Sequence, residues 1–198
     1  MTALDQWFTY VDSFDVHEPF HWPKPYASMC TDENPRDPEL TFWHHYGRVG
    51  EGLAELSERE LDFVRAQFAG KVTIVDRWFG RVLNALDDID AWDDTVVIVT
   101  ADHGHYLGEH GWRGKPHAPR YDELARTPPL VWHPDDIHNN ERVDALTTAV
   151  DLYATFLDTM DVSIPEHVHS ESFLPLILGE RDSHRELPHP TARLTVRA

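Results

Sequence analysis

The sequence predicts an α/β fold in which helices flank a layered, mostly parallel sheet. Short, continuously apolar segments at 95–99 and 129–132 are typical of strands that are buried on both faces of such a sheet. They alternate with segments at 57–89 and 147–160 whose apolar residues recur at helical spacing. This alternation is typical of layered α/β folds. The length of 198 residues, with 41% hydrophobic residues, favours a single domain over 1–198 with a real core.

The first predicted element is a short β-rich strand, WFTYVDS at 7–13, followed by a loop rich in proline, histidine and tryptophan. The next element is the long helix over 57–89. Ser57 and Glu60 offer a capping box at its start, because each side chain can accept a hydrogen bond from the backbone N–H of the other. Gly70 is a candidate break that would divide this segment into two helices.

The later elements continue the alternation of strands and helices. The strand TVVIV at 95–99 ends in a polar loop, and PLVW at 129–132 is the next predicted strand. The segment at 147–160 has the spacing of an amphipathic helix, and ESFLPLILGE at 171–180 is a short apolar docking segment. Ligands of such sheets bind beyond the carboxyl ends of the strands, so the loop after residue 99 is the expected site.

Charge and composition exclude several classes of protein. With 35 acidic and 17 basic residues the formal net charge is −18, which excludes nucleic acid as a partner because phosphate binding needs a basic face. The acids are scattered, which predicts a solvated acidic surface and is compatible with a halophilic source. No apolar run approaches the roughly 18 residues of a membrane span. The N-terminus lacks the pattern of a secretory signal and the chain has one cysteine, so we expect a cytoplasmic protein.

Metal-binding residue types lie where the strand at 95–99 ends. Asp102 and His103 follow it directly, so a rigid element can hold a carboxylate and an imidazole toward one point. Carboxylate oxygen suits hard divalent cations, and Mg²⁺, Mn²⁺, Ca²⁺ and Zn²⁺ accept imidazole to different degrees. Gly104 allows the backbone to turn sharply after the pair. The alternative for this tripeptide is an Asx-type turn that closes the strand.

Lys115 lies thirteen residues beyond Asp102, inside RGKP and after the glycine-dotted segment GEHGWRG. A lysine held between glycine and proline near a metal can place a point charge on a phosphate or sulfate oxygen. The alternative is a solvated loop lysine.

Three segments together resemble a known family. The segment at 84–134, with TADHGHYLGEHGWRGKP at its centre, resembles the C-terminal half of the sulfatases and related phosphonate monoester hydrolases of the alkaline phosphatase superfamily. The segments at 7–26 and 149–180 resemble two further parts of these enzymes, in the same order along the chain. In the last of these segments Ala154 stands where the family usually has proline. The resemblance implies an alkaline-phosphatase-like fold, present as a partial domain.

The resemblance also implies roles for four residues. Asp102 and His103 correspond to two metal ligands, and Lys115 to the lysine that touches the substrate sulfate. His17, in HEPF, corresponds to the histidine that contacts the sulfate and the leaving group. His17 and Lys115 are therefore the expected catalytic and substrate-binding residues. The implied cofactor is a divalent cation, with Ca²⁺ expected first and Mg²⁺ or Mn²⁺ as alternatives.

The family's nucleophile is absent from the sequence. It is a cysteine or serine in Cys/Ser-x-Pro-x-Arg, whereas Cys30 has Asp32 and Asn34 at the proline and arginine positions, and no serine fits either. We interpret Cys30 as an inert loop or packing residue. The resemblance then implies a C-terminal portion of a hydrolase, with a complementary N-terminal polypeptide as a candidate partner that would supply the nucleophile and further carboxylates.

Several functional hypotheses remain open at this stage. The first is a metal-dependent, sulfatase-like hydrolase of sulfate esters, present as a fragment or a split chain. A phosphonate monoester or phosphodiester hydrolase is the alternative within the same chemistry, and a non-catalytic metal- or anion-binding module is the alternative outside it. Whether this chain is an enzyme on its own is left open.

Other histidines and two tryptophans have less specific interpretations. Three histidines of the loop are expected as donors around the metal ligands or as solvated groups, with a second metal as the alternative: His105, His110 and His117. Packing or the rim of a substrate pocket is expected for His44, His45, Trp22 and Trp43.

Overall fold

The computed structural model describes residues 6–41, 43, 45–48, 56–117, 119–127, 129–135, 140–185 and 192–196. Its seven strands are β1 (Gly47–Arg48), β2 (Val97–Val99), β3 (Tyr106–Leu107), β4 (Trp112–Gly114), β5 (Leu130–Trp132), β6 (Arg142–Thr147) and β7 (Ala192–Val196). Its α-helices are α1 (Glu58–Asp88), α2 (Asp122–Ala125), α3 (Asp151–Thr159) and α4 (Leu174–Ile177). Among the helices in these ranges, none is long and apolar enough to cross a membrane.

Helix α1 confirms the predicted capping box. The Ser57 side chain accepts a hydrogen bond from the Glu60 backbone N–H, and the Glu60 carboxylate accepts one from the Ser57 N–H at 2.9 Å. Gly70 does not divide the helix, so that expectation was wrong. A Cβ atom at Gly70 would lie 2.5 Å from the carbonyl oxygen of Tyr26, so glycine is needed there for close approach of a loop.

The chain forms two compact units. The first comprises Met1–Trp7, Ala91–Gly104 and Arg120–Ala198, and the second comprises Phe8–Asp90 and His105–Pro119. Each unit has its own sheet. The single domain predicted from chain length stays a prediction.

The sheet of the first unit has the order β2-β5-β7-β6 and is mainly antiparallel. Strand β2 pairs antiparallel with β5, and β6 antiparallel with β7, whereas β5 and β7 are parallel. The mostly parallel sheet expected from the sequence was therefore wrong. A parallel pair needs a strand on each side of a crossover helix. Among the described residues, the strand before α1 is β1, which pairs in the other sheet, so α1 does not connect two parallel strands of this sheet.

The core of the first unit lies where β5, β6 and α4 meet. Val131, Ala145, Phe173, Leu176 and Ile177 are buried together there, which confirms the predicted docking segment. Strand β2 is only half-buried, so its predicted burial on both faces was wrong.

Helix α3 begins at Asp151 rather than at the predicted residue 147. Strand β6, which the sequence analysis did not predict, runs through Thr147 and delays the helix to Asp151. Ala154, at the position of the family's usual proline, is fully buried and donates its backbone N–H to Ser170 Oγ at 3.1 Å. A proline would lack this donor.

The sheet of the second unit is small and antiparallel, with the order β1-β4-β3. The segment at 7–13 is not a strand, which corrects the sequence prediction, and Phe8, Tyr10 and Val11 are exposed. A strand needs a neighbour to satisfy its backbone groups, and the described residues of this unit provide none beside it.

Candidate functional site

Asp102 and His103 lie in the first unit, just beyond the carboxyl end of β2. The backbone N–H of His103 donates to Asp102 Oδ1 at 2.8 Å, and His103 Nε2 lies 3.5 Å from Asp102 Oδ2. A Cβ atom on Gly104 would lie 1.8 Å from the Glu123 carbonyl oxygen, so glycine is required at this turn. The backbone thus holds the carboxylate and the imidazole side by side.

The hydrogen bonds of His103 suit a metal ligand. Its Nδ1 lies 2.8 Å from the Gly104 carbonyl oxygen, so Nδ1 carries the proton and donates it. Nε2 is then the nitrogen with the lone pair, and an outer hydrogen bond of this kind commonly orients a metal-binding histidine. The Asp102 side chain is 86% exposed and the His103 side chain 42%. The donor set therefore fits a divalent cation, although the described residues hold no group of three or more such ligands.

We expect divalent cations to bind the isolated chain weakly, with dissociation constants above the micromolar range, because two ligands leave most of a coordination shell to water. Calorimetry with Ca²⁺, Mg²⁺ and Mn²⁺ measures this. Asp93→Ala removes the same charge from an exposed position and controls for the overall acidity of the chain. A submicromolar affinity that Asp102→Ala abolishes and Asp93→Ala leaves intact would contradict the expectation.

His17 and Lys115 lie together in the second unit. Lys115 directly follows β4, and its Nζ is 2.7 Å from His17 Nε2. An ammonium group can only donate, so Nε2 accepts this hydrogen bond and Nδ1 carries the imidazole proton. Nδ1 donates that proton to the Glu18 carbonyl oxygen at 2.7 Å. The two contacts assign His17 as a neutral imidazole of fixed orientation.

The Glu18 side chain completes this cluster, and the sequence analysis did not select it. It is 4% exposed, with Oε1 3.5 Å from Lys115 Nζ and Oε2 3.7 Å from His105 Nδ1. Burial raises the pKa of the Glu18 carboxyl, but a hydrogen bond from its own backbone N–H and the basic side chains beside it, His105, Lys115 and His17, together outweigh burial. The pKa therefore lies below its ordinary value, and Glu18 is ionised at neutral pH.

Lys71 holds the loop that carries His17. Its Nζ, almost fully buried, donates to Asp15 Oδ1 at 2.7 Å and also contacts the carbonyl oxygen of His17. Lys71 lies on the buried face of α1, one turn after the buried Gln67. A lysine on the apolar face of a predicted helix indicates that the lysine has a buried polar partner, because a lysine is almost never buried without one.

The other histidines of the loop have different surroundings. The His105 side chain is nearly buried and packs edge-on against Phe20, with ring centroids 5.2 Å apart, and its Nδ1 lies beside the Glu18 carboxylate. His110 and His117 are exposed. No described residues group around these histidines as a second metal site.

The remaining candidates are not part of the cluster. Trp43 and Cys30 are exposed, and Trp22 lies under the ammonium of Lys71, 5.2 Å from its ring centroid. His45 accepts a hydrogen bond at its carbonyl oxygen from the fully buried Arg113, a residue that the sequence analysis missed. His44 lies outside the described residues.

Comparison with known proteins decides the family. The family model described as Sulfatase matches residues 2–162. The chain belongs to the sulfatase family. This sulfatase-family chain is 33% identical over 129 residues to N-acetylglucosamine-6-O-sulfatase of Bacteroides thetaiotaomicron, covering 65% of the chain and 23% of that protein. It is 26% identical over 185 residues to an arylsulfatase of Clostridium perfringens, covering 87% of the chain and 38% of that relative.

The fold of this sulfatase-family chain is similar to that of a solved structure. The phosphonate monoester hydrolase of Agrobacterium radiobacter aligns with a TM-score of 0.65 at 24% identity, over 82% of this chain and 36% of that one. The likeness shows an alkaline-phosphatase-like fold, of which this chain covers a part. All four predicted site residues fall inside the matched range of the family model, and their roles stay predictions.

Proposed function

We propose that this chain supplies the anion-binding cluster and two metal ligands of a metal-dependent hydrolase of sulfate esters. The observation that carries the proposal is the contact between His17 and Lys115, two residues 98 positions apart in the chain. Both are the residues that the family resemblance assigns to the substrate sulfate. Membership of the sulfatase family supports the same chemistry.

The proposed roles follow from the atoms in contact. Lys115 would place its ammonium on a sulfate oxygen, where charge increases in the transition state. His17 would give a proton to the leaving oxygen through Nε2, because Nδ1 is held by the Glu18 carbonyl. Nε2 is unprotonated in the neutral ring, so it would first take up this proton from water and return to the neutral form after the transfer. Asp102 and His103 would hold the divalent cation, with Ca²⁺ expected before Mg²⁺ or Mn²⁺. When bound, the cation supplies positive charge to the ester oxygens and to the nucleophile.

The nucleophile must come from residues that this sequence does not contain. The relatives are longer, since the chain spans 23% and 38% of their lengths. We propose that a preceding or separate polypeptide carries the Cys/Ser-x-Pro-x-Arg motif and completes the site. A phosphonate monoester would bind the same donors, so it remains the alternative substrate.

We expect the isolated 198-residue chain to give no hydrolysis of an aryl sulfate or an aryl phosphonate ester above background, even with Ca²⁺, Mg²⁺ or Mn²⁺ present. The physical reason is that the proposed roles are metal binding, charge stabilisation and proton transfer, and none of them is attack on the ester. Addition of a sulfatase N-terminal polypeptide with its matured nucleophile should restore turnover. Release of the aryl alcohol, followed by absorbance, measures both.

The outcomes of this assay separate the hypotheses. Restored, metal-dependent turnover that Asp102→Ala lowers supports the proposal, and the preferred ester identifies the substrate class. Robust turnover by the isolated chain would contradict the missing nucleophile. Metal and anion binding without turnover in any assembled form would favour the non-catalytic module.

A further inference from the structure

The cluster around Lys115 contains a carboxylate that anion binding alone does not require. Glu18 Oε1 lies 3.5 Å from Lys115 Nζ, and the Glu18 side chain is almost fully buried. A buried carboxylate beside an anion site repels the ligand, because few water molecules screen it. Glu18 therefore affects which anions can bind at this site.

The charges of the cluster can be counted from its contacts. The ammonium of Lys115 and the carboxylate of Glu18 cancel each other, and the hydrogen bonds of His17 assign a neutral imidazole. The N–H groups of Lys115 that do not face His17 thus remain as donors for a ligand, while much of the positive charge of Lys115 is already neutralised. Such a site suits a ligand that needs donors and carries little charge.

We propose that Glu18 is a specificity-determining residue that makes this site select singly charged tetrahedral esters over doubly charged ones. The inference rests on the proposed function, since it concerns the anion that His17 and Lys115 would bind. The repulsion from Glu18 scales with the charge of the ligand, so a dianion is repelled twice as strongly as a monoanion in the same position. Sulfate monoesters, phosphonate monoesters and phosphodiesters carry one charge, whereas phosphate monoesters carry nearly two above a pKa of about 6.

Two small anions of similar shape test this directly. Methyl sulfate carries one negative charge, and methyl phosphate is a dianion at about pH 8. Their dissociation constants from the full 198-residue chain are measured by calorimetry, with the NMR shifts of the His17 ring reporting the location. The wild-type chain should bind methyl sulfate at least as tightly as methyl phosphate. A site that held only cations would favour the dianion.

The variant Glu18→Gln removes the charge and keeps the shape of the side chain. We expect the affinity for methyl sulfate to rise about tenfold and that for methyl phosphate about a hundredfold, which changes the selectivity by about tenfold. Glu58→Gln, at an exposed position in the same unit, changes the net charge equally and should leave the selectivity within about twofold, because water and salt screen it.

Each result decides a different statement. If both anions bind at His17 but the wild-type chain prefers the dianion, or Glu18→Gln changes both affinities by the same factor, the role of Glu18 is refuted while the anion site stands. If neither anion shifts the His17 ring, the proposed anion site is refuted, and the specificity role with it. The wild-type comparison decides the matter even if the Glu18→Gln chain does not fold.

Discussion

Replacing Asp151 with asparagine should lower the free energy of unfolding of the first unit by about 3–5 kcal/mol, the usual effect of breaking a buried ion pair. Asp151 is fully buried at the first position of α3. Its carboxylate accepts hydrogen bonds from His184 Nε2 at 3.1 Å and from the guanidinium of Arg185. An asparagine would turn an amide N–H₂ toward these donors and leave the Arg185 charge without its partner.

The same carboxylate also receives backbone donors, which explains why one substitution affects a large part of the unit. The N–H of Thr148 donates to it at 2.9 Å and the N–H of Glu171 at 3.1 Å. Asp151 therefore ties together the end of β6, the start of α3 and the segment before α4. Hydrogen exchange of α3, together with urea unfolding at neutral pH, measures the loss.

The effect of Asp151 should depend on pH in one direction. Burial raises the pKa of Asp151, but the hydrogen bonds from His184 and Arg185 and from backbone N–H groups lower it by more. The pKa in the folded chain therefore lies well below its ordinary value. The group is therefore more acidic folded than unfolded, where its pKa is about 3.9. Its stabilisation is complete above that value and is lost as the pH falls toward the folded value. The difference between wild type and Asp151→Asn should shrink below about pH 4.

Asp158→Asn, near the other end of α3, is the matched control, since it removes the same charge from a half-buried position. We expect it to change stability by no more than about 0.5 kcal/mol. The interpretation fails if Asp151→Asn unfolds like the control, or if its effect stays constant down to pH 3.

Local signals in the sequence predicted part of the fold. The capping box of Ser57 and Glu60 depends on residues three positions apart, so the start of α1 could be read directly. Gly70 misled the prediction because the reason for glycine is a carbonyl of Tyr26, a loop residue far away in the chain. The direction of strand pairing depends on such distant contacts as well, which is why β5 was predicted as a strand but not as the antiparallel partner of β2.

The site divides in the same way. Asp102 and His103 are neighbours in the sequence, and the strand before them and the glycine after them predicted their placement. The contact between His17 and Lys115 has no local signal, and only the family resemblance linked the two residues. Glu18 was missed because its importance comes from burial, which a charged residue in a loop does not indicate by itself. Lys71 was missed although its position on the apolar face of α1 was a signal.

Replacing Lys115 with alanine should lower kcat/KM for an aryl sulfate by about 10²-fold or more in the enzyme that we propose to form with a nucleophile-bearing polypeptide. Lys115 is largely buried, and its ammonium contacts both His17 and Glu18. A water molecule that filled the space left by the side chain would not replace its positive charge. If the ammonium acts mainly in the transition state, kcat falls along with kcat/KM, whereas a purely binding role would raise KM alone. Initial rates over a range of ester concentrations separate these two cases.

Lys24→Ala is a closely matched control for this experiment. Lys24 is exposed, lies in the same unit and, like Lys115, directly precedes a proline. Its replacement removes the same charge and the same side chain, so we expect less than a twofold change in kcat/KM. Equal losses in the two variants would mean that Lys115 acts only through the overall charge of the chain. Retained activity in Lys115→Ala would contradict a role for the lysine in the proposed anion site, because an ammonium that stabilises a developing charge cannot be dispensable.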